Sequence, residues 1–169
     1  MKIAITGTPG TGKTTVTDQL DINYQVVHLT EYIRENNLGE PVEGVTEVDT
    51  EKLKTKIAEE FESEDVIFEG HLAHHLEVDQ CIVLRCNPEI LEERLSERDY
   101  SDEKVAENLE AEALDVILSE AVQMHENVFE IDTTDKTVDE VTEEVEESIE
   151  NKKTGYGKVD WSESFQALF

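Results

Sequence analysis

The fold of this chain is decided by the stretch Ile3-Ala4-Ile5-Thr6-Gly7-Thr8-Pro9-Gly10-Thr11-Gly12-Lys13-Thr14-Thr15. It begins as an apolar strand and continues as the G-x-x-x-x-G-K-T pattern of a phosphate-binding loop (P-loop). Residues 14–20 can open a helix directly behind the glycines. Because strand, loop and helix follow one another in the order that such a loop requires, the segment predicts a nucleoside triphosphate site.

Each residue type in the loop has a physical role in binding phosphate. Glycines tolerate positive φ, so backbone N–H groups can close around a polyphosphate. Lys13 would reach the β and γ phosphates, and the Thr14 hydroxyl would ligate the Mg²⁺ that accompanies ATP. The candidate nucleotide-binding residues are therefore Gly10, Thr11, Gly12, Lys13, Thr14 and Thr15.

Length and composition indicate one soluble domain. A chain of 169 residues can bury a full hydrophobic core without disulfides or metals. The two cysteines, Cys81 and Cys86, are too few and too closely spaced for a zinc framework, which favours buried thiols in a reducing cytoplasm. No apolar run approaches the ~20 residues of a membrane helix, and the N-terminus offers no leader pattern. We expect a cytoplasmic protein without a membrane partner.

The charge balance is extreme, with 42 Asp and Glu against 14 Lys and Arg and a formal net charge of -28. Such a surface repels itself, and concentrated salt screens that repulsion because the screening length falls from ~10 Å at 0.1 M to ~3 Å at 1 M. We interpret the composition as halophilic. An acidic disordered chain is the alternative, but the 37% hydrophobic fraction argues against it.

Periodicity and chain-breaking residues predict strands that alternate with helices, which is typical of an α/β fold with a parallel sheet covered on both faces. Its ligand would lie at the carboxyl ends of the strands. Strands are predicted at residues 2–6, 25–28, 65–68, 81–84 and 128–131. Helices are predicted at residues 13–20, 31–37, 50–62, 88–98, 102–117 and 138–149, with a loop over 39–48 that contains Gly39, Pro41 and Gly44.

Two further residues are candidates for phosphoryl-transfer chemistry. Glu69 follows Val66-Ile67-Phe68 at a strand end, the Walker B position that holds Mg²⁺ or its waters. His71 would point from the same strand end toward the phosphates. His71, His74 and His75 also have helical spacing, but no carboxylate or cysteine nearby completes a set, so a transition-metal site is not favoured.

The chain has only four arginines, Arg34, Arg85, Arg94 and Arg98. Arg94 and Arg98 are four apart, so one helix face presents both. Arg98 sits beside a polar loop and is a candidate for bidentate phosphate contact, with pairing to neighbouring glutamates as the alternative. In the tail, Trp161, Phe165 and Phe169 predict an extension that packs back on the domain, with a partner-docking segment as the alternative.

Together these residues resemble the small adenylate kinases with ATPase side activity that are found in archaea and, as nuclear proteins, in eukaryotes. The resemblance covers residues 7–120. It is carried by the P-loop, by Glu69-Gly70-His71, by Leu84-Arg85, by the run Leu91-Glu92-Glu93-Arg94-Leu95-Ser96-Glu97-Arg98-Asp99-Tyr100, and by Lys104, Glu107, Asn108 and Glu112. The chain departs from the family pattern at Glu69, usually Asp, and at Asp99, usually Gly.

The resemblance implies a nucleoside monophosphate kinase fold over residues 1–151, with a five-stranded parallel sheet, an insertion over about 30–61 that binds the monophosphate, and a lid over about 98–104. Residues 152–169 form a tail. It implies transfer from Mg-ATP to AMP, with Arg34 on the monophosphate side and Arg98 in the lid. We also place Thr30 and Arg94 among the substrate-binding residues, and Lys13, Glu69, His71 and Arg98 among the catalytic ones.

The resemblance further implies a role in small ribosomal subunit and rRNA maturation, through contact with a small-subunit ribosomal protein or the pre-ribosome. Direct sequence-specific nucleic-acid binding is not expected. Two alternatives stay open at this point. One is an assembly ATPase whose cycle is stimulated by a ribosomal partner, and the other is a P-loop kinase for a different small molecule.

Overall fold

The apolar strands assemble into one parallel sheet in the computed structural model, which describes residues 1–42 and 45–168. The order across this sheet is β2-β5-β1-β6-β7, and every neighbouring pair is parallel. Its strands are β1 (Lys2–Thr6), β2 (Gln25–His28), β5 (Val66–Glu69), β6 (Gln80–Arg85) and β7 (Val128–Asp132). The α/β class and the five-stranded parallel sheet are thereby confirmed.

Helices connect the strands and cover the sheet. Within the described part of the chain they are α1 (Lys13–Gln19), α2 (Leu29–Glu35), α3 (Thr50–Glu60), α4 (Pro88–Ser96), α5 (Asp102–Ala113), α6 (Val116–Met124), α7 (Val138–Glu150) and α8 (Ser162–Leu168). A short 3-10 helix, Ala73–His75, follows β5. Asn87 caps α4 as predicted, with its side chain accepting from the N–H of Glu89 and Pro88 at the first helical position.

Alternating side chains of the central strand divide the core between the two faces of the sheet. Ile3 and Ile5 pack with Val16 of α1 and Val145 of α7 on one face. Ala4 faces the other side, where α2, α3 and α6 pack. Burial of each large aliphatic side chain contributes about 1.5–3 kcal/mol, so both layers stabilise the fold. Cys81 and Cys86 are buried free thiols, as expected.

The predicted single helix over 102–117 is wrong, because α5 and α6 are separate. Asp115 adopts a left-handed conformation with φ 56°, which ends the helical run. Its carboxylate bonds the guanidinium of Arg85, which belongs to a strand of the sheet. The apolar periodicity continues across this break, so the sequence pattern alone did not show it. Helix α4 also ends earlier than predicted, at Ser96, so Arg98 lies in the turn that follows.

The predicted loop over 39–48 is instead a two-stranded antiparallel ribbon, β3 (Gly39–Val42) and β4 (Val45–Val48). Pro41 pairs with Thr46 in this ribbon. Proline is tolerated there because each strand of an isolated pair is an edge. Gly44, one of the residues that suggested a loop, lies outside the described residues.

The tail packs back on the domain, in agreement with the first of its two interpretations. Gly155 pairs alongside β7, accepting from Glu130 at 2.9 Å and donating to Val128 at 2.8 Å. Helix α8, which carries Phe165, contacts α5. Phe169 lies outside the described residues. No helix in the described segments combines the length and the apolar composition needed to cross a membrane.

Candidate active site

The P-loop runs along the carboxyl edge of the sheet, between β1 and α1. Gly10 and Gly12 have φ values of 93° and 94°, a region that side-chain-bearing residues rarely occupy. Gly7 has φ 146°, and a Cβ there would meet the carbonyl oxygen of Leu84 and lie 2.9 Å from Oγ1 of Thr11. The loop therefore fits closely against the end of β6 and depends on its glycines.

Lys13 is buried within the loop that it belongs to, with 7% of the residue exposed. Its ammonium group donates to the carbonyl oxygens of Gly7 at 2.8 Å and Thr8 at 3.0 Å. Desolvation by burial lowers the pKa of Lys13 to about 8, against the opposing attraction of the Glu69 carboxylate. A lysine held this way is poised to neutralise an anion, because bound phosphate oxygens would restore its preference for the charged form.

Glu69 joins the P-loop to the neighbouring strand. One carboxylate oxygen lies 3.4 Å from Oγ1 of Thr14, and the other lies 2.7 Å from Nδ1 of His28. His28 in turn approaches Asp18, with 3.4 Å between Nε2 and Oδ1. Hydroxyl and carboxylate oxygens are the hard ligands that Mg²⁺ prefers, so Thr14 and Glu69 fit the predicted metal role. The contribution of His28 could not be predicted from a sequence motif, because strand pairing brings it to Glu69.

A cleft of about 450 Å³ opens beside these residues and gathers most of the predicted site. Its walls come from the P-loop, from the end of β5 and the loop that follows it, from α2 and β4, and from α5 and the segment before it. The lining residues are Pro9, Gly10, Gly12, Lys13, Thr14, Thr15, Thr30, Thr46, Glu69, Gly70, His71, Arg98, Tyr100, Lys104 and Asn108.

His71 lies in this cleft on the loop that follows β5. Desolvation by the cleft walls, then the positive charge of Lys13, lowers the pKa of His71 to about 4. The residue also keeps solvent contact at the mouth of the cleft. Its imidazole is therefore neutral near pH 7, suited to hydrogen bonding and not to charge neutralisation.

Arg98 and Lys104 supply positive charge from the opposite wall of the cleft. Lys104 Nζ lies 4.1 Å from the ring centroid of Tyr100, and the guanidinium carbon of Arg98 lies 5.9 Å from it. Tyr100 thus holds two cations over one aromatic ring. Lys104 was expected only as part of the lid over about 98–104, although a cation in so acidic a chain was itself a signal of a role in the site.

The remaining predicted residues divide between two places. Thr30 lines the cleft, while Arg34, one helical turn further along α2, is exposed and lies outside that lining. Arg94 Nη1 lies 3.4 Å from the carbonyl oxygen of Gly10. It faces a second cleft of about 490 Å³ on the other side of the P-loop, which also includes Thr133 and Lys136. Arg98 borders both clefts.

A buried ionic network supports the P-loop from behind. Arg85, only 1% exposed, donates to Glu112 and to Glu130, each at 2.8 Å. The second oxygen of Glu112 accepts from Oγ1 of Thr8 at 2.6 Å. Burial alone would lower the pKa of Arg85, but the surrounding carboxylates raise it. Arg85 is thus a structural cation and does not face the cleft that Arg98 lines.

The histidine cluster differs from its sequence interpretation. His74 and His75 lie together, and Glu120 of α6 supplies the carboxylate that no nearby residue offered. His71 points instead into the P-loop cleft. Glu120 is distant in sequence, so helical spacing could not have found it.

Cavity size does not identify the site. A larger cavity, about 690 Å³, lies at the amino ends of the strands, beside Met1, Asp79 and Asn127. Ligands of open α/β sheets bind at the carboxyl ends, where the P-loop cleft lies. Chemistry and topology therefore favour the smaller cleft.

Comparison with known proteins identifies the relatives of this chain. Residues 3–115 match the family model described as "AAA domain". Relatives named "Putative adenylate kinase" include one from Thermococcus kodakarensis, which is 46% identical over 99% of this chain and 97% of the relative. Another, from Natronomonas pharaonis, is 46% identical over 96% of this chain and 99% of the relative. The similarity thus extends beyond residues 7–120 into the tail.

Solved structures with the same fold are P-loop kinases. Shikimate kinase from Acinetobacter baumannii, solved with shikimate, has a TM-score of 0.64 at 16% identity, covering 90% of this chain and 94% of that one. Shikimate kinase from Bacteroides thetaiotaomicron has a TM-score of 0.58 at 19% identity, covering 89% of this chain and 98% of that one. At these identities the likeness concerns the fold alone. Given its full-length relatives and its AAA-type P-loop domain, this chain belongs to the archaeal adenylate kinase family.

Proposed function

We propose that the protein transfers the γ-phosphoryl group of Mg-ATP to AMP, giving two ADP. The observation that carries the proposal is the convergence of Lys13, Arg98 and Lys104 with Thr14 and Glu69 around one cleft. Phosphoryl transfer spreads negative charge over three equatorial oxygens, so catalysis consists mainly of positioning and charge neutralisation. This arrangement of three cations and a hard-oxygen pair suits that task.

ATP would lie along the P-loop, between the two clefts. The β and γ phosphates would meet Lys13 and the loop N–H groups. The base and ribose would extend into the second cleft, between Arg94 and Thr133. Thr14 and Glu69 would hold Mg²⁺, directly or through water, and the bound ion would supply charge neutralisation at the β and γ oxygens.

AMP would enter from the side of the cleft that Thr30 and Thr46 line. These residues belong to α2 and β4, which together with β3 and α3 form the proposed insertion over about 30–61. Thr30 and Arg34 are four residues apart on α2 and so share one helix face. Rotation of the insertion toward the P-loop would bring Arg34 onto the AMP phosphate.

The chemistry requires no general base. An oxygen of the AMP phosphate, already anionic at neutral pH, attacks the γ phosphorus, and the bond from that phosphorus to the β–γ bridging oxygen breaks. Residues 98–104 would act as a lid that brings Arg98 and Lys104 onto the transferring group and excludes water. Neutral His71 would orient a water molecule in a slower ATPase reaction when AMP is absent.

An assembly ATPase is the second candidate, because the net charge of -28 suits a basic ribosomal protein as partner. That role in small-subunit maturation is compatible with the kinase reaction, since both use the same P-loop. The two buried thiols, Cys81 and Cys86, suit the reducing cytoplasm in which such a partner would be met. Partner-stimulated hydrolysis without AMP would favour this candidate.

An acceptor panel tests the substrate class. Purified protein in molar KCl would receive Mg-ATP with AMP, GMP, CMP, UMP or a non-phosphorylated alcohol, with ADP formation followed over time. We expect AMP to be the best acceptor and alcohols to be inactive, since the described cleft places no free carboxylate for use as a base beside the acceptor side. Preference for a hydroxyl acceptor would contradict the proposal.

A further inference from the structure

A cluster of metal-ligating side chains lies outside the proposed active site. His74 and His75 end the 3-10 helix that follows β5, and Glu120 projects from α6. Nε2 of His74 lies 2.8 Å from Oε2 of Glu120, and Nε2 of His75 lies 3.8 Å from the same oxygen. Neither the kinase mechanism nor the family comparison uses these three groups.

The separations suit a tetrahedral metal ion. Zn–N and Zn–O bonds of about 2.0–2.2 Å at tetrahedral angles place neighbouring ligand atoms roughly 3.3 Å apart. The two observed distances, 2.8 and 3.8 Å, lie on either side of that value. A small movement of Glu120, whose side chain is 43% exposed, would equalise them. All three ligand atoms lie within 4.8 Å of one another, so the cluster is close to coordination geometry.

The surroundings of His74 resemble the support that metal-binding histidines receive. Its second ring nitrogen, Nδ1, lies 2.9 Å from Oγ1 of Thr6, and the residue is 1% exposed. Metal-ligating histidines usually have the other nitrogen hydrogen-bonded, which fixes the tautomer and the ring orientation. The carbonyl oxygen of His74 accepts from Nε2 of His125 at 2.7 Å, which also anchors the 3-10 helix.

Access and ligand type narrow the identity of the ion. His75 and Glu120 keep solvent contact, so an ion can enter and a water molecule can complete the coordination. Two imidazoles and one carboxylate form a set that zinc accepts, whereas Mg²⁺ and Ca²⁺ prefer oxygen ligands. The alternative is a hydrogen bond between His74 and Glu120 that needs no metal.

We propose that His74, His75 and Glu120 form a Zn²⁺ site that joins the 3-10 helix to α6. The ion would fasten the segment that begins at Gly70 and carries His71 into the cleft. The hydrogen bond between His74 and Thr6 would extend this support to the start of the P-loop, because Thr6 directly precedes Gly7. The zinc site does not depend on which phosphoryl acceptor the protein uses, so its test is separate from the test of the kinase proposal.

Zinc titration of the full-length protein tests the site. Binding would be measured by competition with a chromophoric chelator, in molar KCl to screen the acidic surface and with excess Mg²⁺ to occupy Thr14 and Glu69. Thermal unfolding with and without Zn²⁺ gives a second readout, since a ligand of the folded state raises the melting temperature. We expect one equivalent of Zn²⁺ to bind and to stabilise the protein.

The variants His75→Ala and Glu120→Gln should each weaken Zn²⁺ binding by more than about 10-fold, since even loss of a supporting hydrogen bond costs about 10–100-fold. Both side chains are only partly buried, and circular dichroism would check that both variants fold. Thr6→Val, which removes only the hydrogen bond to His74, should weaken binding by about 10–100-fold.

A charge-matched control excludes a general electrostatic effect. Glu126→Gln removes the same charge from an exposed residue near the end of α6. It should bind Zn²⁺ as the unmodified protein does. Zinc binding unchanged in His75→Ala and Glu120→Gln, or absent from the unmodified protein, would overturn the proposal.

Discussion

Nδ1 of His28 lies 2.7 Å from Oε2 of Glu69, and the two residues are paired in register at the carboxyl ends of adjacent strands. The carboxylate that faces Thr14 is therefore oriented by the strand beside it. An ionised carboxylate only accepts hydrogen bonds, so Nδ1 of His28 carries the proton. The pair links the P-loop, through Glu69, to the strand that leads into α2.

Replacing His28 tests this orienting role. His28→Ala leaves Glu69 without its donor, and we expect the Mg²⁺ concentration for half-maximal ADP formation to rise about 10–100-fold, the usual effect of losing a supporting contact. His28→Asn retains an N–H near the position of Nδ1 and should recover part of the loss. Equal Mg²⁺ dependence in all three proteins would rule out the role.

The Lys13 ammonium predicts a pH dependence. Burial lowers its pKa to about 8, so the charged form is present below that pH and is lost as the pH rises through it. Because kcat/KM reports groups of the free enzyme, kcat/KM for ATP should fall about tenfold per pH unit above about 8. The value of kcat should fall less, since bound phosphates favour the charged lysine. A flat kcat/KM up to pH 9.5 would contradict this.

The buried Arg85 network predicts a large loss of stability. Arg85→Met leaves Glu112 and Glu130 buried without their cation, which should lower the free energy of unfolding by about 3–5 kcal/mol. Lys54→Met removes the exposed ion pair with Glu51 and should cost at most ~1 kcal/mol. Urea unfolding of the two variants measures the difference, and similar losses would show that the network is not needed.

Two glycines provide a matched test of the P-loop geometry. Gly7 and Gly155 have nearly the same φ, 146° and 144°, so alanine is strained at both. Only at Gly7 would a Cβ meet the carbonyl of Leu84. Gly155→Ala should cost about 1–3 kcal/mol for its backbone, whereas Gly7→Ala should lose more stability and also abolish ATP binding. Calorimetric ATP titration of folded Gly7→Ala would reveal any binding that it retains.

Local signals in the sequence were sufficient to predict much of the fold. The P-loop and the buried strands predicted the parallel sheet, and Asn87-Pro88 predicted the start of α4. The break at Asp115 was missed because its cause is an ion pair with Arg85, 30 residues earlier. Contacts of this range leave no periodic signature.

The same distinction between local and long-range signals applies to the residues of the candidate site. Residues inside a motif, such as Lys13 and Thr14, could be assigned from their order along the chain. His28 and Glu120 could not, because strand pairing and helix packing bring them to their partners. The roles of Glu69, His71, Arg34 and Arg98 in the reaction stay predictions.

The most direct test of the kinase proposal is the stoichiometry of ADP formation from Mg-ATP in molar KCl, with and without AMP. We predict that two ADP appear for each ATP consumed only when AMP is present. Lys13→Ala and Arg98→Ala should lower that rate by about 100-fold or more, and Lys158→Ala, in the exposed tail, should not. Formation of ADP and inorganic phosphate at one rate, whether or not AMP is added, would contradict the account.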